Sequence, residues 1–578
     1  MAERKTFPRN SSGLERSIGP VTAILITVAY AVGFGWQRNI IAFTGQSPVP
    51  ENFWFAGIPP GVSAYLIGGA IILIMVLGYS ILTSAMPRTG GGYVAISRII
   101  GPFAGFIGSW FAFLSICVSF GVIAVLVFEL AFYFIGPAMM ITPMLTSFND
   151  VGFFAGGVLL IFLVTAVAVS GSRITSYVTQ ALVWVPFSLG LYVLYLLAVA
   201  IANPSTLQAG ISAWAQVQGV AGVTAETYVK AALAQGLDSA SLGNYWTAVS
   251  ASLAGAYFAY IGYANLTFVS GEVREPARNF PKIVLIAPVI VVIMFVTMAS
   301  FAAYSASAVG QTTLMNGDRW SFFEAYSYLT DGGGSLQRAG LPNFRLRIPT
   351  LASMVGMGLG LGSLNILVFL FSILWVVNDL PPAILAASRI IFAMSFDGIL
   401  PESLNKVNRF HSPVYAATLV GIFGVTGALS ESCILCNGGS WSPGGTLGDV
   451  LTSVFGNGIY NTDLLDVVFF SLFSLAIVLF PLRQKGTFAT ARFRPGGKLG
   501  VMAIGVAGLV ANLVIGWTVL TSPQDAYNII SPTPDNWFAL GFTALLGIIG
   551  SVIYGYYRFG PSSKTRDFSA IFSDIPPE

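Results

Sequence analysis

The chain has 578 residues, of which 55% are hydrophobic and only 9% are charged, and its formal net charge at pH 7 is +3. Soluble domains carry about 25% charged residues, so this composition excludes a large water-facing globule. The small net charge gives no reason to expect a nucleic-acid partner. The composition predicts a polytopic protein whose surroundings are membrane lipid.

Twelve apolar runs follow one another, each close to the roughly 20 residues that a membrane-spanning helix needs. They are too long, and alternate too little, for the strands of a membrane barrel. The first run is also too long for a cleaved signal peptide, so we expect it to remain as a span. The runs cover residues 18–43, 61–86, 102–136, 151–170, 177–202, 247–270, 281–308, 350–378, 413–429, 464–481, 499–521 and 536–557.

The Lys and Arg residues are distributed unevenly between the two sides of this layout. With the N-terminus in the cytoplasm, most of the 27 Lys and Arg residues fall in cytoplasmic segments. The positive-inside rule then predicts a multi-pass protein of the cell membrane with both termini cytoplasmic. The predicted organisation is a tail at 1–17, spans one to five at 18–202, an outer loop at 203–246, spans six to ten at 247–481, spans eleven and twelve at 482–557, and a tail at 558–578.

Residues that support catalysis are sparse. The chain contains a single histidine, His411, and no HExxH, GxSxG or Walker loop. No enzyme activity, metal site or cofactor is therefore expected. Cys433 and Cys436 form a CxxC at the outer end of span nine, where a disulfide and two free thiols remain alternatives. The outer loops 203–246, 309–349 and 430–463 are rich in small residues and are expected to carry short helices.

The first span is interrupted by the stretch "AVGFGWQRNI", residues 31–40. In lipid, irregular backbone is tolerated only where it lines a cavity or is buried in protein. Gly33 and Gly35 lower the cost of unwinding, and the ends of two half-helices would offer amide donors and carbonyl acceptors. These groups suit a carboxylate and a cation. A simple glycine kink or packing notch is the alternative.

The sixth span has a second candidate break at residues 260–263, followed by the polar Asn265. By the charge distribution, the first and sixth spans cross the membrane in opposite directions. Two interrupted helices at corresponding places of oppositely oriented halves indicate a transporter binding site.

Three longer stretches carry a family resemblance. They are "MPRTGGGYVAISRIIGPFAGFIGSW" (86–110), "FAYIGYANLTFVSGEVREPARNFPK" (258–282, with Glu272, Pro276 and Pro281 in a fixed frame) and "SRIIFAMSFDGILPESLNKVNRFHSPV" (388–414). As a set they resemble the amino acid–polyamine–organocation (APC) superfamily of permeases. The match anchors the order of spans one to ten.

The resemblance implies an all-α, LeuT-like fold, in which 18–202 and 247–481 are inverted five-helix repeats followed by two extra helices. It implies secondary transport of amino acids or related amines by alternating access. It maps a carboxylate-binding turn and an ammonium-binding, gating turn onto the two breaks, with Tyr260 or Tyr263 closing over the substrate. The substrate-binding residues so implied are Ala31, Val32, Gly33, Phe34, Gly35, Trp36, Phe258, Tyr260, Gly262 and Tyr263.

Arg38 is a charged residue inside a predicted span, where a charge costs about 3 kcal/mol on insertion scales. One interpretation makes it half of an outer gate, paired with Asp463 or Asp466 at the start of span ten. A second has its guanidinium bind an acidic substrate group. A third has it extend to the membrane interface.

Four further residues are candidates for ion coupling or for an inner gate. Glu129 in span three is interpreted as a proton-coupling site, a partner of Arg38, or a neutral core carboxyl. Ser363 and Ser372 in span eight are candidates to hold sodium beside the carbonyls of span one. By resemblance, Glu272 is the candidate for an inner gate, in a network with Arg88 and Arg98, and ordinary solvated ion pairs in these cytoplasmic loops are the alternative.

The coupling ion is therefore expected to be H⁺ or Na⁺, with no other cofactor. Some members of the family carry a lysine on span five in place of a sodium site, and this chain has none there. Asp379 is expected near the inner end of span eight, where it would cap a helix or pair with Arg389.

A permease for amino acids or amines is the leading function, and a nutrient sensor or channel on the same fold is the alternative. A channel would need a continuous polar stripe through several spans, whereas the charges inside these spans are few and isolated. The expected partners are the small-molecule substrate and membrane lipid, and the sequence predicts no oligomeric state.

Overall fold

The computed structural model describes residues 12–33, 35–42, 47–138, 149–238, 244–260, 262–459, 462–521, 527–530, 532–560 and 567–573. These residues are mostly helical, as the sequence predicts. The helices of the first half are α1 Pro20–Ala31, α2 Gly35–Ala42, α3 Pro60–Ala85, α4 Gly91–Ile99, α5 Pro102–Ala138, α6 Asp150–Val169, α7 Ser172–Ala202, α8 Pro204–Val217, α9 Ala225–Ala234 and α10 Tyr245–Tyr260.

The second half begins after a 3₁₀ segment at Asn265–Glu272. Its helices are α11 Pro276–Ser307, α12 Phe322–Asp331, α13 Leu336–Ala339, α14 Ile348–Gly358, α15 Asn365–Val377, α16 Leu380–Phe396, α17 Val414–Ser432, α18 Gly445–Leu451, α19 Asp463–Arg483, α20 Lys485–Thr490, α21 Gly497–Thr521, α22 Pro534–Phe559 and α23 Phe568–Ser573. Two short strands, β1 Thr312–Thr313 and β2 Arg319–Trp320, pair antiparallel.

Within the described residues, ten helical segments are long and apolar enough to cross a membrane. The bent pair α1 and α2, whose axes differ by 45°, makes an eleventh. The sixth predicted span corresponds to the 16-residue α10 and the 3₁₀ segment after it. The prediction of an all-α polytopic membrane fold is therefore confirmed.

The predicted eighth span, 350–378, is wrong in its bounds. Helices α15 and α16 belong to one apolar segment that runs from Gly362 to Phe396, and α14 is a separate helix of 11 residues before it. Only the short turn at 359–361 and a 3₁₀ turn at Gly362–Leu364 separate α14 from α15. Because the sequence stays apolar through this turn, hydropathy places the span too early.

The two ends of the bundle differ. We call the end that carries Arg98, Arg389 and Arg483 the basic face. There the Arg483 guanidinium donates to the Ile99 and Ile100 carbonyls, at 3.1 and 2.9 Å, and so ties α19 to the end of α4.

We call the opposite end, formed by the long connections 203–246, 309–347 and 433–462, the loop face. Its short helices α8, α9, α12 and α13 agree with the prediction for these loops. The Tyr228 hydroxyl on α9 donates to the Pro342 carbonyl at 2.7 Å and so joins two of the connections. Cys433 and Cys436 form a disulfide at the end of α17, which decides between the two alternatives left by the sequence.

Candidate functional site

The first span is broken where the sequence predicts. Helix α1 ends at Ala31, the Val32 N–H makes its last bond to the Val28 carbonyl at 3.0 Å, and α2 starts at Gly35. Neither Gly33 nor Gly35 is among the described residues with positive φ. Neighbouring side chains crowd both glycines: a Cβ at Gly33 would overlap the carboxylate of Asp379, and one at Gly35 would lie 2.9 Å from the Phe258 ring. Phe34 lies outside the described residues.

The second break follows Tyr260, and here the backbone does require glycine. Gly262 has φ +113°, and a Cβ on it would overlap the Tyr30 ring and come within 2.6 Å of the Tyr30 carbonyl. The second break therefore packs directly against the last turn of α1. On the other side, the Asn39 amide of α2 donates to the Gly255 carbonyl of α10 at 3.0 Å. The two interrupted spans thus touch above and below their breaks.

The aromatic residues at the breaks are mostly buried. Trp36 is fully buried and stacks on Phe295 with ring centroids 5.5 Å apart. Tyr260 is 1% exposed and donates its hydroxyl proton to the Tyr65 carbonyl at 2.9 Å. Tyr263 is 2% exposed and stacks on Tyr79. The role of either tyrosine in closing over a substrate stays a prediction.

Phe258 differs from these rings because 45% of its surface is exposed. Ala31 and Val32 are buried at 3% and 0%. Among the predicted substrate-binding residues, Gly35 of the first break lies against Phe258, which is the most exposed of their described aromatic side chains.

Ser372 makes a different contact from the one predicted. Its hydroxyl donates to Gln37 Oε1 at 2.7 Å, and Gln37 Nε2 donates to the Ser372 carbonyl at 3.2 Å. This reciprocal pair joins α2 to α15, and Gln37 was not among the predicted site residues. Ser363 is exposed in the first turn of the eighth span, 16 residues before Asp379. Its expected place beside the carbonyls of span one depended on the span bounds that the structure revises.

Asp379 is the functional candidate that the sequence misplaces. The eighth span covers residues 362–396, so Asp379 lies at its midpoint and not near its inner end. The side chain is buried, its Oδ1 has no hydrogen-bond partner among the described residues, and it lies against Gly33. The expected pairing with Arg389 is wrong, because that guanidinium binds Glu272. An acidic residue in the middle of an apolar run is the signal that could have identified it.

Two buried ion pairs join the family-like stretches at the basic face. Arg389 binds Glu272 with both ends of its fork, at 2.7 and 3.2 Å, and both side chains are fully buried. Arg98 binds Asp397 in the same bidentate way, and the Tyr93 hydroxyl adds a bond to Asp397 at 2.7 Å. Glu272 therefore pairs with Arg389, and not with Arg88 or Arg98 as predicted.

A small cavity of about 30 Å³, partly open to solvent, lies on the loop-face side of the breaks. Glu129, Arg345 and Arg347 line it, and Ser372 contributes to its wall. Burial and the nearby charges of Arg38 and Arg345 together lower the pKa of Arg347 to about 10, so it remains a cation at neutral pH. Glu129 thus faces guanidinium groups in this cavity.

Arg38 is exposed and lies within electrostatic range of Asp331 and Glu431. Among the described residues no ion pair within 4.0 Å joins it to Asp463 or Asp466. Asp466 instead accepts a bond from the Ser115 hydroxyl on α5 at 2.8 Å. The pairing of Arg38 across an outer gate stays a prediction.

These features define a class of protein: a polytopic helical membrane protein with two interrupted spans in contact with each other. A family model described as amino acid permease matches residues 18–550. The chain therefore belongs to the amino acid permease family of the APC superfamily, which confirms the resemblance seen in the sequence.

Individual relatives agree with this assignment. The branched-chain amino acid permease BcaP of Lactococcus lactis subsp. cremoris is 22% identical over 68% of this chain and 73% of its own length. The large neutral amino acids transporter small subunit 2 of Oryctolagus cuniculus is 32% identical over 20% of this chain and 21% of its own. Both relatives are transporters and not enzymes.

A solved structure shows the same fold. The crystal structure of MhsT in complex with L-phenylalanine matches with a TM-score of 0.50 and 16% identity, over 86% of this chain and 98% of that chain. The LeuT-like fold class implied by the resemblance is confirmed by this match.

Proposed function

We propose that the protein is a secondary transporter that moves amino acids across the cell membrane by alternating access, with both termini in the cytoplasm. The observation that carries the proposal is the contact between the two breaks, at Gly35 with Phe258 and at Gly262 with Tyr30. Backbone groups released at such breaks bind a carboxylate and an ammonium group without any charged side chain.

The substrate class is a neutral amino acid with an apolar side chain. The described side chains that surround the breaks are mainly apolar and aromatic, with Trp36, Phe258 and Phe295 nearby. BcaP is named for branched-chain amino acids, and MhsT was solved with L-phenylalanine. Both names support an apolar substrate.

The conformation has one end closed and the other partly open. The buried pairs Glu272–Arg389 and Arg98–Asp397 hold the basic face together, whereas the cavity beside Ser372 reaches solvent at the loop face. We assign the loop face to the outside, because the positive-inside rule places the basic face in the cytoplasm. A proton or sodium gradient would drive accumulation.

The test is uptake by the purified full-length protein in liposomes. Radiolabelled leucine, valine, phenylalanine, arginine and putrescine are offered with an imposed proton gradient, a sodium gradient or neither. We expect accumulation of the first three. Binding of an amino acid without any uptake would overturn transport in favour of a sensor, and selective uptake of putrescine would overturn the substrate class.

Gly262→Ala tests the site itself. Alanine at φ +113° is strained and meets Tyr30, so the second break must move. We expect uptake to fall about ten-fold or more, because a displacement of about 1 Å at a reacting or binding site is enough for such losses. Gly555→Ala on α22, where a Cβ meets nothing within 4 Å, is the matched control. Equal uptake by the two variants would contradict the assignment of the site.

A further inference from the structure

Asp379 is an acid in the middle of a membrane span for which the structure shows no partner among the described residues. The side chain is only 7% exposed and its Oδ1 is fully enclosed without a hydrogen bond. No Lys or Arg nitrogen of the described chain lies within 4.0 Å of it. From this geometry we propose that Asp379 takes up and releases the coupling proton of the transporter, an inference that rests on the transport function proposed above.

The enclosure of Oδ1 favours a proton over a metal ion. A sodium ion needs several oxygen ligands and a space of its own, whereas a proton adds almost no volume to the carboxyl group. An ionised carboxylate without a partner costs several kcal/mol in such surroundings, so the enclosed acid is stable in its protonated form.

The neighbouring groups leave the charge of Asp379 uncompensated. Tyr30 on α1 lies within electrostatic range of Asp379. It also lies within electrostatic range of Asp466 on α19 and Cys117 on α5. The charged residues nearest along the eighth span and the 3₁₀ segment, Arg389 and Glu272, neutralise each other. None of these groups supplies a positive charge that would hold Asp379 ionised.

Asn378, the residue before Asp379, is also a buried polar residue without side-chain hydrogen-bond partners among the described residues. It is fully buried, and both its Oδ1 and its Nδ2 lack partners among the described residues. Buried polar groups are normally hydrogen-bonded, so three unpartnered atoms in two consecutive residues mark a place where another species binds or passes. Ordered water beside a titrating acid fits this chemistry.

The cavity at the loop face does not reach Asp379, but it marks the side from which we propose that the proton arrives. Ser372 lines the cavity, and Asp379 is seven residues further along the eighth span. Two helical turns place both side chains on the same face, about 10 Å apart along the axis. A proton from the outer solution would reach Oδ1 past the Ser372–Gln37 pair, and it would leave to the cytoplasm after the basic face opens.

Contact with the first break couples the proton to the substrate. The Asp379 carboxylate lies against Gly33, inside the turn that is proposed to bind the substrate carboxylate. An ionised Asp379 would repel a carboxylate placed there, whereas a protonated one would not. Proton uptake therefore precedes or accompanies substrate binding, which is symport.

The experiment compares wild type with Asp379→Asn, which resembles the protonated acid in shape and charge. In liposomes with acid outside, wild type is expected to accumulate radiolabelled leucine against its gradient. The variant is expected to lose this acid-driven accumulation while leucine–leucine exchange stays within about three-fold of wild type, because only the protonation step is removed. The exchange rate should also lose its dependence on pH.

Leucine–leucine exchange by Asp379→Asn would show that the variant is folded. It also separates the proposed transport function from the proposed role of Asp379. If wild type neither accumulates nor exchanges any amino acid, the proposed function fails. If wild type exchanges leucine but Asp379→Asn still accumulates it under a proton gradient, or if a sodium gradient drives wild type, the role of Asp379 alone is overturned. Asp535→Asn, an exposed acid at the start of α22, is the matched control and should behave as wild type.

Discussion

The basic face and the loop face use the same charged residue types in opposite ways. At the basic face, Glu272, Arg389, Arg98 and Asp397 are buried and bound in two bidentate pairs. At the loop face, Arg38 and Arg345 are exposed, and Arg345 and Arg347 line a cavity with Glu129. Desolvated pairs hold segments together rigidly, whereas solvated charges cost little to rearrange.

This contrast indicates that the basic face is the closed end in this conformation and that its buried ion pairs close it. The pairs at the basic face join the segment after span two, the second break and the eighth span, so opening this end means separating buried charges. The C-terminal helix α23 adds to the closure, because Arg98 also donates to the Ile571 carbonyl at 3.3 Å and lies over the Phe572 ring. The loop face has no comparable buried pair among its described residues.

The largest effect is expected from breaking a pair at the basic face. Arg389→Gln leaves the Glu272 carboxylate buried without its cation, which costs about 3–5 kcal/mol of folding free energy. We expect a clear fall in Tm, measured by thermal unfolding in detergent. Arg278→Gln is the matched control, since Arg278 pairs with Glu275 at 3.7 Å while both side chains are about 70% exposed.

The control should change the free energy of unfolding by less than about 1 kcal/mol. The double variant Glu272→Gln with Arg389→Gln should recover part of the loss, because no unpaired charge remains. Equal Tm values for the two single variants would refute the contrast between buried and exposed pairs.

An intermediate effect is expected at a buried acid of the loop face, Glu324 in the first turn of α12. Burial and the nearby charge of Glu51 together raise the pKa of Glu324 to about 8. Between about pH 4.5 and 8 the folded state therefore holds a proton that the unfolded state has lost, so stability falls as the pH rises through this window. We expect the Tm of wild type to fall between about pH 4.5 and 8.

Glu324→Gln should remove most of that fall, because glutamine is neutral and still accepts the capping bond from the Ser321 N–H. Glu226→Gln is its control. Hydrogen bonds lower the pKa of Glu226, with Thr224 and Gln208 as its partners, so it is ionised throughout the range. A Glu324→Gln variant with the same slope of Tm against pH as wild type would contradict the assignment.

The sequence could predict the breaks because glycine and polar residues interrupt otherwise apolar runs at 31–40 and 260–265. It could not predict the partner of Glu272, because ion pairs between distant segments depend on how helices approach one another. Asp379 was misplaced for a related reason: α14 and the eighth span form one apolar run, and its division is set by tertiary packing. Because Asp379 was misplaced, the sequence also provided no indication that Gly33 contacts it.

The smallest effect on stability is expected from a substitution of Arg38, an exposed residue of the loop face. Arg38→Gln should change the free energy of unfolding by no more than about 0.5 kcal/mol, because the side chain is exposed and forms no ion pair within 4.0 Å in the described part of the chain. Its charge still acts on the cavity through Arg347 and Glu431. Leucine is a zwitterion without net charge, so removing this one cation should leave its KM within about two-fold of wild type at low and at high salt. A large loss of stability would instead show that Arg38 is bound as tightly as Arg389, and the two faces would no longer differ.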